Sequence, residues 1–367
     1  MLDLLHTVLS FLVVLTAVVF VHEFGHFLVA RLNGVRVEVF SIGFGRELFG
    51  FNDRHGTRWR LSLLPLGGYV RFFGDADETS GTAETARPLS KAEEAVSFHH
   101  KRVGQRFAIV LAGPMANFLF SIVVFAGLYM TIGQPHSAPV VGEVIAGSAA
   151  AEAGLLAGDR IVAIDGTPVD RFQDVRRVVP LSNGAPLHID ILRDNAPLAV
   201  IALPRMVETD DGLGNKIQVA QLGVKVSLSQ ADIQRLGPLD ALGQAVGQTW
   251  QLSADTLTYL GQVVRGNRSA EELGGPVRIA QFSGKAAERG VLDLVTFIAL
   301  LSVNLGLINL FPIPMLDGGH LMFYIIEALR GRPLGARAQE YGLRFGLALV
   351  LAMMVFATWN DLSLINW

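Results

Sequence analysis

Two histidines four residues apart, His22 and His26, flank Glu23 in the apolar stretch VVFVHEFGHFLV at residues 18–29. On a helix, residues four apart share a face, so both imidazoles point the same way with the carboxylate beside them. H-E-x-x-H on a helix suits zinc hydrolysis: two imidazoles hold the metal and the glutamate acts as base on the attacking water. The competing reading is a histidine pair hydrogen-bonded to neighbouring helices. A charged residue at the centre of a membrane span costs about 2.5–3.5 kcal/mol, and such residues usually mark function. A catalytic zinc needs a third protein ligand and an open position for water. Asp317, expected in a Gly-rich turn after the helix-breaking Pro312 and Pro314, is the candidate. His320 as a further ligand would close the site to water, so it is read as a supporting or packing residue. His99 and His100, in a polar run, are read as solvated.

These residues need elements to position them, and the composition says what kind. The chain has 367 residues, 51% of them hydrophobic and only 17% charged, a net charge of −3 and no cysteine, with a mean hydropathy of +0.42. Charge near neutrality gives no sign of nucleic-acid binding, and the lack of cysteine excludes disulfides and thiolate chemistry. Four segments are long and apolar enough to span a bilayer: about 8–30, 107–132, 292–311 and 343–359. Residues 1–30 carry no Lys or Arg, unlike a secretory signal, so the first is read as a retained span. Twelve Lys and Arg fall in 31–106 and four in 330–344. The positive-inside rule therefore puts both segments in the cytoplasm and both termini and the long 133–290 segment outside. A span entering from outside delivers Asp317 to the cytoplasmic side, the depth expected for His22 and His26.

Between the first two spans, residues 35–74 alternate apolar and polar positions, are rich in Val, Phe and Tyr, and are punctuated by Gly, which predicts a membrane-associated hairpin. Its aromatics Phe40, Phe44, Phe49, Phe51 and Trp59 are expected to face the membrane, and Arg54, Arg58 and Arg60 to anchor it on the inside. Residues 75–101 read as a polar loop. GPMANF (113–118) places small residues in the second span, suited to close helix packing. Outside, AGLLAGDRIVAIDG (153–166) resembles a PDZ domain of the bacterial protease type, with a short helix expected over 148–154. Gly154 and Gly158 are read as serving turn geometry. Such domains add an extended peptide to a sheet edge. More strand-like sequence follows, then an amphipathic helix over 238–264.

HEFGH, GFG (43–45), PLGGYV (65–70), AGPMANF (112–118) and NLFPIPMLDGGH (309–320) together resemble the site-2 protease family of intramembrane zinc metalloproteases, in its bacterial regulator-of-sigma-E protease branch. The resemblance covers nearly the whole chain in motif order. It implies one zinc held by His22, His26 and Asp317, Glu23 as catalytic base, and Asn304 and Asn309 as substrate-contacting residues. The best-known members carry two tandem PDZ domains, whereas one is found here. The fold expected is a membrane α-helical, four-span protease core with a cytoplasmic β-hairpin and an inserted extracytoplasmic PDZ-like α+β domain. The chain divides into 1–132 (first half of the core), 133–205 (PDZ-like), 206–290 (linker with strand and helix) and 291–367 (second half of the core).

The function expected is zinc-dependent cleavage, within the inner membrane of a bacterium, of single-span proteins already trimmed outside. Anti-sigma factors and remnant signal peptides are the classes the resemblance implies. Two other readings stay open: a membrane-anchored PDZ adaptor with a relic metal site, and a transporter using His and Asp as relays.

Overall fold

A computed structural model of the chain describes residues 2–74, 89–213, 215–226, 231–270 and 274–364. Residues 75–88, most of the stretch read as a polar loop, lie outside these. The chain folds as two compact units: residues 1–124 with 274–362, and residues 125–273 with 363–367.

In the first unit, α1 (Leu2–Leu32) is apolar on every side, as a buried or membrane helix must be. It leads into β1 (Val37–Asn52) and β2 (Arg58–Phe72), an antiparallel pair. Both strands are bent back on themselves. Residues 39–42 of β1 are partnered on one side by 68–71 and on the other by 58–61, and 58–61 pair in turn with 49–52. One hairpin thus makes a sheet four segments wide. The glycines of GFG and PLGG mark the bends: Gly43 and Gly45 have φ of 85° and Gly67 of 138°, values that L side chains rarely adopt. Phe40 lies inside rather than facing the membrane, 1% exposed. Its ring stacks on Trp59 at 4.4 Å and meets Phe27 edge-on at 5.6 Å. Phe44, Phe49 and Phe51 are exposed. Arg58 pairs with Glu47, and Arg60 lies over the Tyr69 ring. At the tip, the Asp53 carboxylate accepts from the backbone amides of His55 and Thr57, from the Trp59 ring N–H and from Arg31. Partial burial pushes its pKa up, but these donors prevail and hold it at about 2. A short helix, α2 (Lys91–Val96), follows in the region read as loop, held by a Ser90–Glu93 capping box. Next comes α3 (Val103–Thr131), with Pro114 inside it.

The second unit begins with β3 (Gln134–Ser137) and β4 (Val141–Val144), then α4 (Ala149–Glu152) capped by Ser148. Its main sheet has the order β6–β5–β7–β8, built from β5 (Arg160–Ile164), β6 (Thr167–Pro168), β7 (Leu187–Arg193) and β8 (Ala196–Ala202). Ile161, Ile164, Ile189 and Ile191 are fully buried against α5 (Phe172–Leu181). No helix was expected from the sequence over the valines of α5. Their 3.6-residue spacing, with Phe172, Val175 and Val179 buried, is helical. Gly154 and Gly158 adopt positive φ, in keeping with turn duty. Asp159 accepts from the Leu156 amide and from two nitrogens of Arg193, which hold its carboxyl below the usual range. The rest comprises β9 (Arg205–Asp210) paired with β10 (Lys216–Gln221), β11 (Val224–Val226) paired with β4, and β12 (Ala231–Gln234) paired with β3. Then comes α6 (Pro238–Val264), which spans the residues expected for the amphipathic helix.

The chain re-enters the first unit at α7 (Pro276–Arg289), a helix the sequence reading left within the linker. Asp361 caps it by accepting from the amides of Gly275, Val277 and Arg278 at 2.8, 2.9 and 3.1 Å. Three helices follow: α8 (Val291–Asn309), α9 (Asp317–Arg330) and α10 (Ala336–Leu364). The helices over Asp3–Leu32, Val103–Thr131, Val291–Asn309 and Arg337–Ser363 are each long and apolar enough to cross a membrane.

Candidate metal centre

His22 and His26 lie one turn apart on α1, their ring planes at 88°. Two glycines let α1 and α3 approach closely enough to fix them. A Cβ on Gly25 would collide with the Ala112 carbonyl and lie 2.7 Å from Ala116 Cβ. A Cβ on Gly113 would meet both imidazoles, 2.5 Å from His26 Cε1 and 2.9 Å from His22 Cε1. His26 Nδ1 lies 2.9 Å from the Ile109 carbonyl oxygen. A carbonyl only accepts, so Nδ1 carries the proton and Nε2 presents its lone pair on the opposite side of the ring.

The third group arrives from α9. Helix α8 stops at Asn309, and Pro312 and Pro314 keep the chain from resuming a helix. Asp317 is the first residue of α9 rather than part of a turn, which corrects the expectation. The glycines after it serve close packing. A Cβ on Gly318 would overlap the carbonyls of Leu310 and Phe311, and one on Gly319 would sit 2.6 Å from Pro314 Cα. The loop is thereby folded under the helix that begins with Asp317. Arg106 of α3 holds the other end of α9, bonded to Glu327 at 2.6 Å and lying over Tyr324.

Three atoms converge here. His22 Nε2 and His26 Nε2 are 3.3 Å apart, and Asp317 Oδ2 is 3.1 Å from the first and 3.4 Å from the second. Ligands bound at 2.0–2.1 Å to a tetrahedral zinc must be about 3.3–3.4 Å apart. Two edges of the triangle have that length and the third, at 3.1 Å, is slightly shorter. Asp317 Oδ2 is buried and has no hydrogen-bond partner among the described residues, although two nitrogens lie close. Lone pairs gathered this tightly repel unless a proton or a metal cation lies between them, and two imidazoles with one carboxylate are a donor set that fits zinc. Among the described residues, the metal-capable group here consists of His22, His26 and Asp317. His320 lies outside it, with its ring against Phe323.

Glu23 offers no atom to this triangle but lies within electrostatic reach of all three members. Strand β2 passes beside it: a Cβ on Gly68 would sit 3.1 Å from Glu23 Cγ. Asn304 and Asn309 are partly buried on α8, Asn309 as its last residue. His99 and His100 are exposed. The Ile109 carbonyl, Gly113 and Gly68 were missed at the sequence level. The glycines in GPMANF and PLGGYV were the available signal, taken there as packing and turn residues.

The chain matches peptidase family M50 over residues 10–353. It is 46% identical over 369 residues to a protein of Rhizobium meliloti provisionally named a zinc metalloprotease, covering 100% of this chain and 98% of the relative. A similarly named protein of Mesorhizobium japonicum is 48% identical over 362 residues, 98% of this chain and 99% of the relative. The metalloprotease MmpA of Caulobacter vibrioides is 38% identical over 387 residues, 99% of this chain and 97% of the relative.

Proposed function

This chain belongs to peptidase family M50, and from that membership and the geometry of the site we propose how a membrane zinc metalloprotease of this sequence works. His22, His26 and Asp317 hold the zinc, and Glu23 is the base. The observation that carries this reading is the triangle of Nε2, Nε2 and Oδ2, sized for one tetrahedral zinc. Zinc, when bound, supplies a Lewis acid that polarises the scissile carbonyl and acidifies water. Glu23 takes a proton from the attacking water and passes it to the leaving amine. It is close to the triangle without joining it, as a base must be.

The substrate is a membrane-spanning helix that unwinds to present its carbonyl, since its backbone groups are otherwise satisfied internally. The unwound segment adds as a strand to the edge of β2 at residues 68–70. That edge has no partner strand among the described residues and begins beside Glu23. Asn304 and Asn309 satisfy freed backbone groups of the substrate. Its natural class is single-span proteins already shortened outside, such as anti-sigma factors or remnant signal peptides, in the regulator-of-sigma-E protease manner. Residues 133–205 form a single PDZ-like domain, and this domain and both termini face outward. The support is the buried four-stranded sheet with α5 against it and the positive charge of the loops at 31–106 and 330–344.

The test is cleavage of a tagged single-span protein lacking its ectodomain, by purified chain in liposomes. Wild type should cleave, and a chelator should abolish cleavage until zinc is restored. Glu23→Gln should cut about 10²–10⁴-fold more slowly while keeping one zinc per chain. Undiminished cleavage by Glu23→Gln would remove Glu23 from the mechanism.

A further inference from the structure

Besides Asp317 Oδ2, two buried polar groups at or near the metal centre have no hydrogen-bond partner among the described residues. The first is His22 Nδ1, which has no hydrogen-bond partner among the described residues, whereas the equivalent nitrogen of His26 has the Ile109 carbonyl. The second is the carboxamide of Asn117 on α3. Its side chain is 0% exposed, and neither Oδ1 nor Nδ2 has a partner among the described residues. An unpaired buried amide is destabilising, whereas an apolar side chain of the same shape would carry no such cost.

The helix register puts the two groups on facing, neighbouring turns of α1 and α3. His26 lies against Ile109 and Gly113, and His22 against Gly113, so α1 and α3 run antiparallel and His22 faces the turn that starts at Gly113. Asn117 is four residues on, on the same face of α3. Its Cα–Cβ bond leans toward the N-terminus of α3 and so over the turn of Gly113, which has no side chain to obstruct it. His22 Cε1, the carbon bonded to Nδ1, is the atom that a Cβ on Gly113 would meet at 2.9 Å. The backbone of Asn117 is fixed, because its carbonyl accepts from Ser121 Oγ at 2.9 Å and Ser302 Oγ at 3.2 Å. Only the amide is left to turn.

We propose that Asn117 Oδ1 accepts the Nδ1 proton of His22, making Asn117 a positioning residue for the metal centre; this rests on the ligand set proposed above. The bond would satisfy both groups and fix the His22 tautomer with its Nε2 lone pair toward the metal. It would do for His22 what the Ile109 carbonyl does for His26. Such supporting partners commonly account for about 10–100-fold in metal affinity.

The experiment is zinc affinity, by chelator competition, together with the visible spectrum of the cobalt-substituted protein and the thermal unfolding of the metal-free form. Asn117→Leu should bind zinc about 10–100-fold more weakly and alter the cobalt spectrum, with no loss of metal-free stability. Asn117→Asp, which keeps an acceptor oxygen in place, should bind zinc at least as tightly as wild type. Wild-type affinity in Asn117→Leu overturns the proposal. Should the leucine variant not fold, Asn117→Ala is read against Asn117→Asp in the same way. His26→Ala separates this proposal from the one beneath it: if it too binds zinc like wild type, the ligand set itself is wrong.

Discussion

At the scale of single residues, His22, Glu23 and His26 owe their arrangement to a local relation: H-E-x-x-H fixes a shared helix face whatever surrounds it. Asp317 lies almost three hundred residues away in sequence and was reached through the alternation of spans. What could not be read was anything set by contact between helices. Nothing in the sequence of α3 says that the Ile109 carbonyl orients an imidazole or that Gly113 must lack a side chain. Gly113→Ala tests this directly. Alanine favours a helix by about 1 kcal/mol over glycine, yet its Cβ would lie 2.5 Å from His26 Cε1. The ring must move, so zinc affinity should fall at least about tenfold by chelator competition. Unchanged affinity would mean that the close approach of α3 does not orient the ligands.

At the scale of elements, glycines and aromatics announced the hairpin but not its folding back. That depends on each strand pairing with two partners, which a period-2 pattern cannot encode. The same omission misplaced Phe40 and Trp59: alternation gives two faces, and only the bent sheet turns this pair onto Phe27 of α1. Asp53 stabilises the tip as a carboxylate, with its pKa lowered to about 2. A carboxyl depressed in the folded state stabilises above its unfolded pKa of about 3.9 and loses that contribution as the pH falls through the folded value. Asp53→Asn should therefore lower the unfolding temperature at pH 7 and by nearly as much at pH 5. The difference from wild type should shrink between about pH 4 and pH 2. A difference that persists at pH 2 would trace the effect to something other than charge.

For the molecule as a whole, hydropathy located the four long apolar helices found among the described residues, since about twenty apolar residues in a row admit few alternatives. It could not separate α7 from the linker: α7 is short and amphipathic, and it belongs to the first unit through contacts such as its cap from Asp361. With no native cysteine, single cysteines report topology cleanly. In intact cells stripped of their outer barrier, an impermeant maleimide should label Gln218→Cys and leave His55→Cys and Pro333→Cys unlabelled until lysis. The reverse pattern would invert the orientation. The outer edge of residues 68–70, beside which no other described strand lies, also bears on supply. A chain that crosses a bilayer cannot leave backbone amides and carbonyls unsatisfied against hydrocarbon, so on the proposed reading water reaches that edge between substrates. Hydrolysis consumes one water per bond, and this wet edge begins beside Glu23. Each arriving strand displaces part of the reservoir from which its own second reactant is drawn.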